Sequence, residues 1–467
     1  MNVTADTLSN TSVVALVAAM MTNDMQKSEY ILVVGLGITG LSVVRYLSSQ
    51  GKNIVVVDSR HETPGLKELE ADFPEVSVFL GEFDEALFMA ASQIVISPGV
   101  SMKESVIQHA IVQGVDVIGD IELFAQRVNA PVIAVTGSNG KSTVVSLLGE
   151  MAKAANIHYV VGGNIGIPAL NLINENIDLY ILELSSFQLE NLKSLKPVAA
   201  AVLNLSPDHM DRYDSYAEYV EVKKRVYQQC EVAVINRDDE QVNFMQAAHK
   251  SVAGFSLREP VQGDYGLRED ENEICLCKGE IKLIKQQALK LSGKHNTANA
   301  LAALALGEAA GLPMASMLAA LTKFPGLPHR TQFVAKKKNV TWVNDSKGTN
   351  VGASIAAING VQVKNKLVLI AGGMAKDADF TPLKLAVRGK VRGVVLIGKD
   401  AKKIEQVLQD EVTVWHAKDM QDAVKIAANM AHSDDTVLLS PACASFDMFN
   451  GYEHRGEVFV KAVEGLQ

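Results

Sequence analysis

Short apolar runs bounded by glycine and small polar residues recur along the chain. Each is followed by a longer stretch whose apolar residues fall three and four apart. The first kind reads as buried strand and the second as amphipathic helix. Their alternation predicts an α/β protein with parallel sheets. Three strand-to-turn starts stand out: Tyr30–Val34 into Gly35, residues 131–135 into Thr136, and 366–370 into Ala371. Each could open a nucleotide-binding unit, so three domains are expected. The αβ series changes between Ile118 and Ala130. The segment 324–330 holds two prolines and a glycine, which suits a hinge. The boundaries expected are 1–27 for an N-terminal extension, then 28–119, 120–326 and 327–467. No repeat of short fixed period is visible.

A length of 467 residues supports several cores rather than one. The net charge of −9 argues against nucleic acid as the main partner, while leaving room for a local basic pocket. Cys230, Cys275, Cys277 and Cys443 fit neither a zinc site nor a CxxC pair; scattered thiols suit a reducing cytosol and are expected to be mostly buried and inert. Residues 13–21 are apolar, but the run is short and no Lys or Arg precedes it, so neither a signal peptide nor a membrane span is expected. Residues 1–27 read as a loosely attached extension of a cytoplasmic chain without membrane insertion.

Four groups of residues carry candidate chemistry. Gly35-Leu-Gly37-Ile-Thr-Gly40 follows a strand, and Asp58 ends the next one. That spacing gives a tight turn, close backbone approach and a helix N-terminus that favours a diphosphate; Asp58 could hold a ribose hydroxyl. The pattern does not choose between NAD and another nucleotide. Thr136-Gly-Ser-Asn-Gly-Lys-Ser-Thr143 reads as a phosphate loop, with Val135 where the full pattern has its first glycine. Its backbone N–H groups would cradle phosphates, Lys141 would reach the β/γ oxygens, and a hydroxyl would meet Mg²⁺.

Glu183 ends the apolar run 179–182, and Asp208-His209-Met-Asp211-Arg212 follows the run 198–205. Singly, these residues suit helix caps or a polar surface; after a phosphate loop they supply what Mg²⁺·ATP needs. In the last third, Asn344-Asp345-Ser346-Lys347-Gly-Thr349-Asn350 follows strand 340–343, Lys376 follows a Gly372-Gly373 turn, and Ser440-Pro-Ala-Cys-Ala-Ser445 follows Thr436–Leu439. Turns hold such residues anyway, but all three groups fall at predicted C-terminal strand edges, where doubly wound sheets bind ligands.

With these residues in view the chain resembles the Mur ligase family over about residues 28–467. The segments TGSNGKST, GGNIG, ELSSFQLE, NLSPDHMDRY, GKHNTANALAAL, FPGLPHRTQ, WVNDSKGTN and SPACASFDMF carry the resemblance. It implies a Rossmann-like UDP-binding domain, a central phosphate-loop ATPase domain and a C-terminal Rossmann-like domain that brings an amino acid. It further implies that Ile38, Thr39, Asp58, Ser59, Arg60 and Gly99 hold a uridine diphosphate and Asn164 the muramoyl side. Gly137, Ser138, Asn139, Gly140, Lys141, Ser142 and Thr143, with Asn296, Asn299, Arg330 and Asp345, would bind ATP. Ser142, Glu183 and His209 would serve two Mg²⁺ ions. His329 would lie near the reaction centre at the hinge. Thr349, Lys376, Ser445 and Tyr452 would hold D-glutamate. Ser59 stands where threonine is expected, and Tyr452 where phenylalanine is usual.

The reaction implied joins D-glutamate to UDP-N-acetylmuramoyl-L-alanine through an acyl phosphate, in a monomer. Lys141, Lys223, His209 and His329 are the implied catalytic residues. Lys223 lies in a helix-like stretch, 216–228, whose Tyr216, Tyr219, Val220, Val226 and Tyr227 share its face, while Lys224 is rotated away. Spacing alone favours a lysine that snorkels to water. The family context KKRVY implies instead a carbamylated lysine that ligates metal. Other readings remain open: a folylpolyglutamate synthase, a family member for another amino acid, an NAD-dependent oxidoreductase, or a non-catalytic nucleotide-binding regulator. The segments around Lys376 and SPACAS favour D-glutamate. The oxidoreductase leaves the phosphate loop unexplained, and the regulator gives no reason for Glu183, His209 and Lys376 to coexist.

Overall fold

The computed structural model describes residues 30–270, 273–291, 293–361 and 363–466. The expected extension, residues 1–27, and its apolar run lie outside them. The described chain forms two compact units. The first takes in the chain up to Val132, Val160–Pro197 and Gln228–Cys230; the second takes in Ile133–Tyr159, Val198–Tyr227 and everything from Glu231 onward.

The first unit opens with a five-stranded parallel sheet: β1 (Tyr30–Val34), β2 (Asn53–Asp58), β3 (Ser77–Leu80), β4 (Gln93–Ile96) and β5 (Asp116–Gly119). Their order is β3-β2-β1-β4-β5, in parallel register throughout. The strand order therefore reverses beside β1, and a crevice opens there at the carboxyl ends of the strands. Helix α1 (Ile38–Ser49) starts in that crevice. Leu32, Val34, Val55, Val57, Ile94 and Ile96 fill one face of the sheet, all at most 3% exposed.

β6 (Val132–Thr136) is wholly buried and leads into α2 (Lys141–Ala154). It begins one residue later than the apolar run suggests, because Pro131 has no N–H to give a ladder. β7 (Tyr159–Gly163) and β8 (Leu179–Glu183) are neighbours. In the second unit β9 (Ala199–Val202) pairs in parallel with β6 and with β10 (Val232–Asn236), which pairs with β11 (Val252–Phe255). The apolar run 198–205 is thus only half strand. Past Val202 its backbone turns to the phosphate loop, where Ser138 N–H donates to Asn204 O at 2.9 Å.

The sheet then departs from the expected alternation of strand and helix. β12 (Tyr265–Asp270), β13 (Glu273–Lys278) and β14 (Ile281–Lys285) form an antiparallel meander. Gly279 at φ +51° makes the tight β13–β14 turn. α3 (Tyr216–Lys224) also ends short of the helix expected over 216–228 and tightens into a single 3₁₀ turn, Arg225–Tyr227. Tyr227 explains the stop: its hydroxyl accepts from Val202 N–H and donates to Val234 O, both at 2.8 Å, pinning the chain across β9 and β10. α4 (Lys294–Ala309) packs behind this sheet and is buried on most of its surface.

The third sheet, also in the second unit, has the order β15-β16-β20-β17-β18-β19. Its strands are β15 (Gln332–Lys337), β16 (Val340–Asn344), β17 (Leu367–Gly372), β18 (Val391–Ile397), β19 (Thr413–His416) and β20 (Thr436–Leu439). β15 is antiparallel to β16, joined through Lys338 and Asn339 at φ +49° and +62°; the other pairs are parallel. Helices α5 (Val351–Gly360) and α6 (Tyr452–Glu464) cover opposite faces through separate apolar clusters. Among the described residues no helix is long and apolar enough to cross a membrane. The cysteines are free thiols; Cys275, Cys277 and Cys443 are buried, and burial pushes the Cys443 thiol up to about 12.

Candidate active site

In the first unit the glycine turn does what its spacing promises. Gly35 has φ +93°, and a Cβ at Gly40 would fall 1.9 Å from Gly35 O, so the helix can press against the turn only with glycine at both places. α1 has no side-chain cap and no acid in its first turn, which leaves its N-terminal N–H groups for an anion. Asp58 is 2% exposed and heavily engaged. Leu36 N–H donates to Oδ2 at 2.7 Å, Arg60 N–H to Oδ1 at 2.9 Å, and the Arg60 guanidinium binds both oxygens at 2.9 and 2.7 Å. Burial opposes its charge, but Arg60 and these backbone donors outweigh burial and hold the carboxyl below its ordinary range. Asp58 therefore fixes the turn and the Arg60 cation.

A cavity of about 960 Å³ lies over this turn, and Ile38, Thr39, Asp58, Ser59, Arg60 and Gly99 all line it. Ile38 is 71% exposed, an apolar side chain held out at its rim. Asn164 does not line this cavity. It sits on the turn after β7, where its Nδ2 donates to Glu183 Oε1 at 2.7 Å and its N–H to Glu183 O at 2.8 Å. Glu183 Oε2 is buried with no hydrogen-bond partner. A buried carboxylate oxygen left unmatched is costly, and a cation would satisfy it.

In the second unit the phosphate loop is fastened on several sides. Asn139 N–H donates to Asn204 Oδ1 and Asn204 Nδ2 returns a bond to Asn139 O, each at 2.9 Å. Ser138 Oγ donates to Ser206 O at 2.9 Å, accepts from Ser206 N–H at 2.9 Å, and meets the Tyr219 hydroxyl at 2.8 Å. Lys141 Nζ donates to Gly137 O at 2.7 Å and Ser138 O at 3.1 Å. Ser142 and Thr143 are buried in the first turn of α2, which carries no acid. A cavity of about 330 Å³ opens beside the loop, lined by Asn139, Gly140, Thr143, Asn296, Asn299, Arg330 and Asp345. Asp345 is fixed by Thr331 N–H at 3.0 Å and Ser440 Oγ at 2.7 Å, and burial lifts its carboxyl to about 6.

A second cavity, about 340 Å³, is lined by Asp208, His209, Thr349, Asn350 and Lys376. Both cavities include Ser206 and Gly352 in their walls. Lys376 has φ +49° and lies on a turn stitched to the SPACAS segment by paired Met374–Ala444 backbone bonds of 3.0 Å. Burial lowers the His209 pKa, and the Lys376 and Lys141 charges push it further down against Asp208 and Asp211. A neutral imidazole is the form that offers a lone pair to a metal. Ser445 and Tyr452 do not line this cavity. Ser445 is 2% exposed just past Ala444, and the Tyr452 ring lies 3.7 Å from Lys347 Nζ.

His329 lines neither cavity. Its Nδ1 is 3.0 Å from Asn344 Nδ2, and a Cβ at Gly456 of α6 would fall 2.3 Å from that nitrogen. Lys223 is 2% exposed; its Nζ donates to Gly137 O at 3.1 Å and Thr136 Oγ1 at 3.4 Å and lies 4.8 Å from the Tyr219 ring centre. Lys224 reaches outward to Glu221. Helical spacing set Lys223 on the inward face, as found, but the expectation from spacing alone, a side chain that snorkels to water, fails, because Nζ turns in to the loop instead. Among the described residues no three His, Cys, Asp or Glu side chains converge on a metal-sized site. A cation here would therefore need hydroxyl, phosphate or carbamate oxygens as well.

Lys347, named in the sequence within the group 344–350 but given no role there, lines the cavity beside the phosphate loop, two residues past Asp345. One feature escaped sequence reasoning altogether. Tyr219 ties the helix of Lys223 to Ser138; nothing local in the sequence announces that bond.

Three family models match the chain in order: Mur ligase MurD-like, N-terminal domain, over residues 29–119; Mur ligase middle domain, over 135–307; and Mur ligase, glutamate ligase domain, over 329–443. A UDP-N-acetylmuramoylalanine–D-glutamate ligase from Nitrosococcus oceani is 51% identical over 436 residues, covering 93% of this chain and 96% of the relative. The ligase of the same name from Marinobacter nauticus is 49% identical, with 93% and 98% covered. Among solved structures, a pseudomurein peptide ligase type C from Methanothermus fervidus matches with a TM-score of 0.59 at 19% identity, covering 94% of this chain and 100% of that one. UDP-N-acetylmuramate–alanine ligase from Thermotoga maritima matches at 0.58 and 19%, covering 93% and 99%. These two likenesses speak to the fold.

Proposed function

The chain belongs to the Mur ligase family, and from that premise we propose that it is an ATP-dependent, ADP-forming ligase that joins D-glutamate to UDP-N-acetylmuramoyl-L-alanine in cytoplasmic peptidoglycan precursor synthesis. One observation carries the chemistry: a cavity at a phosphate loop shares walls with a second cavity that holds a lysine, so a phosphoryl donor and an anionic amino acid fit side by side. The names and near-complete coverage of the relatives support the choice of substrates.

The L-alanyl carboxylate is a poor electrophile. Transfer of the γ-phosphoryl group of ATP to one of its oxygens gives an acyl phosphate and ADP. The D-glutamate amine then attacks the acyl carbon, and the tetrahedral intermediate expels phosphate and loses a proton to give the amide. The enzyme's contribution is positioning and charge neutralisation. Gly137–Thr143 cradle the phosphates, with Lys141 drawn from Gly137 O onto the β/γ oxygens. Asn296, Asn299, Arg330 and Asp345 hold the nucleoside end. Thr349 and Lys376 grip D-glutamate, with Ser445 and Tyr452 contributing from the adjoining segments. His329 acts from the hinge by orienting Asn344 and α6. Ser142, Glu183, His209 and a carbamylated Lys223 are the protein donors for two Mg²⁺ ions; Glu183 Oε2, buried and unmatched, fits that role. When bound, Mg²⁺ supplies positive charge to the phosphate oxygens as negative charge shifts between them. The three-domain division with boundaries near 119 and 326 and a monomeric state complete the reading.

In the first unit, Ile38, Thr39, Asp58, Ser59, Arg60 and Gly99 hold a uridine diphosphate, and Asn164 the muramoyl side. Asp58 already binds Arg60 and two backbone N–H groups, which leaves it poorly placed to take the ribose hydroxyls of NAD. Calorimetry should therefore show binding of UDP-N-acetylmuramoyl-L-alanine and none of NAD. Micromolar NAD binding that the UDP-sugar displaces would revive the oxidoreductase.

A further inference from the structure

The nucleotide-side cavity has one wall from α4 and another from α5, and the hinge segment 324–330 lies between these helices in the chain. Where the two walls meet, the imidazole of His295 faces two glycines. A Cβ at Gly360 would lie 2.8 Å from His295 Nδ1 and 3.0 Å from Cε1. A Cβ at Gly293 would lie 3.0 Å from Cε1 and 3.2 Å from Gly360 O. Gly293 has φ +93°, so its backbone asks for glycine regardless. Gly360 differs: it closes α5 without a positive φ, and its backbone would accept any L-residue. Alanine there would ordinarily favour the helix over glycine.

Only the imidazole stands against a side chain at 360. That ring is rigid, and its Nδ1 is buried without a hydrogen-bond partner. Burial, and then the Arg330 charge, lower its pKa and favour the neutral form, so it can rest against a helix end without a counter-ion. An imidazole has no flexible tip to yield to an added methyl group, and this ring already lines the cavity, so displacing it disturbs the cavity wall.

We infer that His295 and Gly360 form the docking contact that seats the C-terminal sheet and its helices on the nucleotide cavity, and that closure requires position 360 to carry no side chain. The inference rests on ATP occupying that cavity. Both residues position other groups: seating α5 brings Asp345, at the far side of the hinge, onto a nucleotide held by the phosphate loop, and Thr349 to the adjoining cavity. A methyl group at 360 penalises the closed state, and saturating ligand can overcome that penalty.

The test is a bump-and-hole cycle of Gly360→Ala, His295→Ser and the double variant, read by ADP affinity in calorimetry, by KM and kcat, and by melting temperature. Gly360→Ala should weaken ADP binding and raise the KM for ATP about tenfold, with kcat at saturation nearly kept, a penalty equivalent to roughly 1.4 kcal/mol. Adding His295→Ser removes the obstructing ring and should return both constants close to those of His295→Ser alone. A folded Gly360→Ala with unchanged constants overturns the inference. So does a double variant impaired by the full product of the two single effects, because the loss would then not run through His295. If Gly360→Ala does not fold, the double variant must fold and bind ADP; failure of both also overturns it. Wild type that binds ADP but never ligates would instead refute the proposed function, while the ADP affinities still read the contact.

Discussion

Lys223→Ala is expected to lose nearly all ligase activity, and added short carboxylic acids should restore part of it. Lys223 is buried beneath the phosphate loop, against Gly137 O and Thr136 Oγ1. An ammonium in that place serves the loop carbonyl and the Tyr219 ring face, but it opposes a nearby cation. A carbamate keeps one N–H for Gly137 O and adds two hard oxygens of the kind Mg²⁺ prefers. CO₂ adds only to the free amine. A small carboxylate diffusing into the space left by alanine brings the same two oxygens. Lys224→Ala is the control. That side chain lies outside, paired with Glu221 at 3.2 Å on an exposed helix face, and such pairs contribute about 0.2–0.5 kcal/mol. Near-normal turnover by Lys223→Ala, or loss that no carboxylate reverses, would end the carbamate reading.

Gly140→Ala should lower kcat/KM about a hundredfold, equivalent to roughly 2.7 kcal/mol. Gly140 caps α2 at φ +89°, a conformation that alanine adopts at a cost of about 1–2 kcal/mol. Its added Cβ would also fall 2.4 Å from Asn299 Oδ1. Asn299 cannot easily retreat, since it is buried and its Nδ2 donates to Asn296 Oδ1 at 3.3 Å. Loop and asparagines would have to part, and both belong to the nucleotide cavity. The change should appear in ADP affinity with the circular dichroism spectrum retained. Wild-type affinity in Gly140→Ala would mean that nucleotide does not use this loop.

Local chemistry explains which parts of this protein were readable beforehand. The glycine turn at 35–40, the phosphate loop and the inward set of Lys223 follow from spacing within a few residues, because φ, helix starts and helix faces are local properties. The meander β12–β14 was missed because its antiparallel pairing is decided by a turn and a partner strand, and each strand alone looks like any half-buried strand. The early stop of α3 depends on Tyr227 reaching β9 and β10, contacts that no helical periodicity shows. The same limit applies to the site. Asp58 looked available to a ribose, and only the fold shows Arg60 and Leu36 already holding it. Ser206 and Gly352, the residues common to both second-unit cavities, are 146 positions apart by their numbers, and nothing in either local sequence shows that they meet.

The central claim is that one chain couples ATP cleavage to joining D-glutamate onto a UDP-linked L-alanyl carboxylate. A coupled ADP-release assay with Mg²⁺, ATP, UDP-N-acetylmuramoyl-L-alanine and a panel of amino acids tests it most directly. Sustained ADP release should need all components and D-glutamate as the amino acid, with background rates when either substrate is left out. Equal release with L-glutamate, glycine or L-lysine, or release that ignores the UDP-linked substrate, would contradict it.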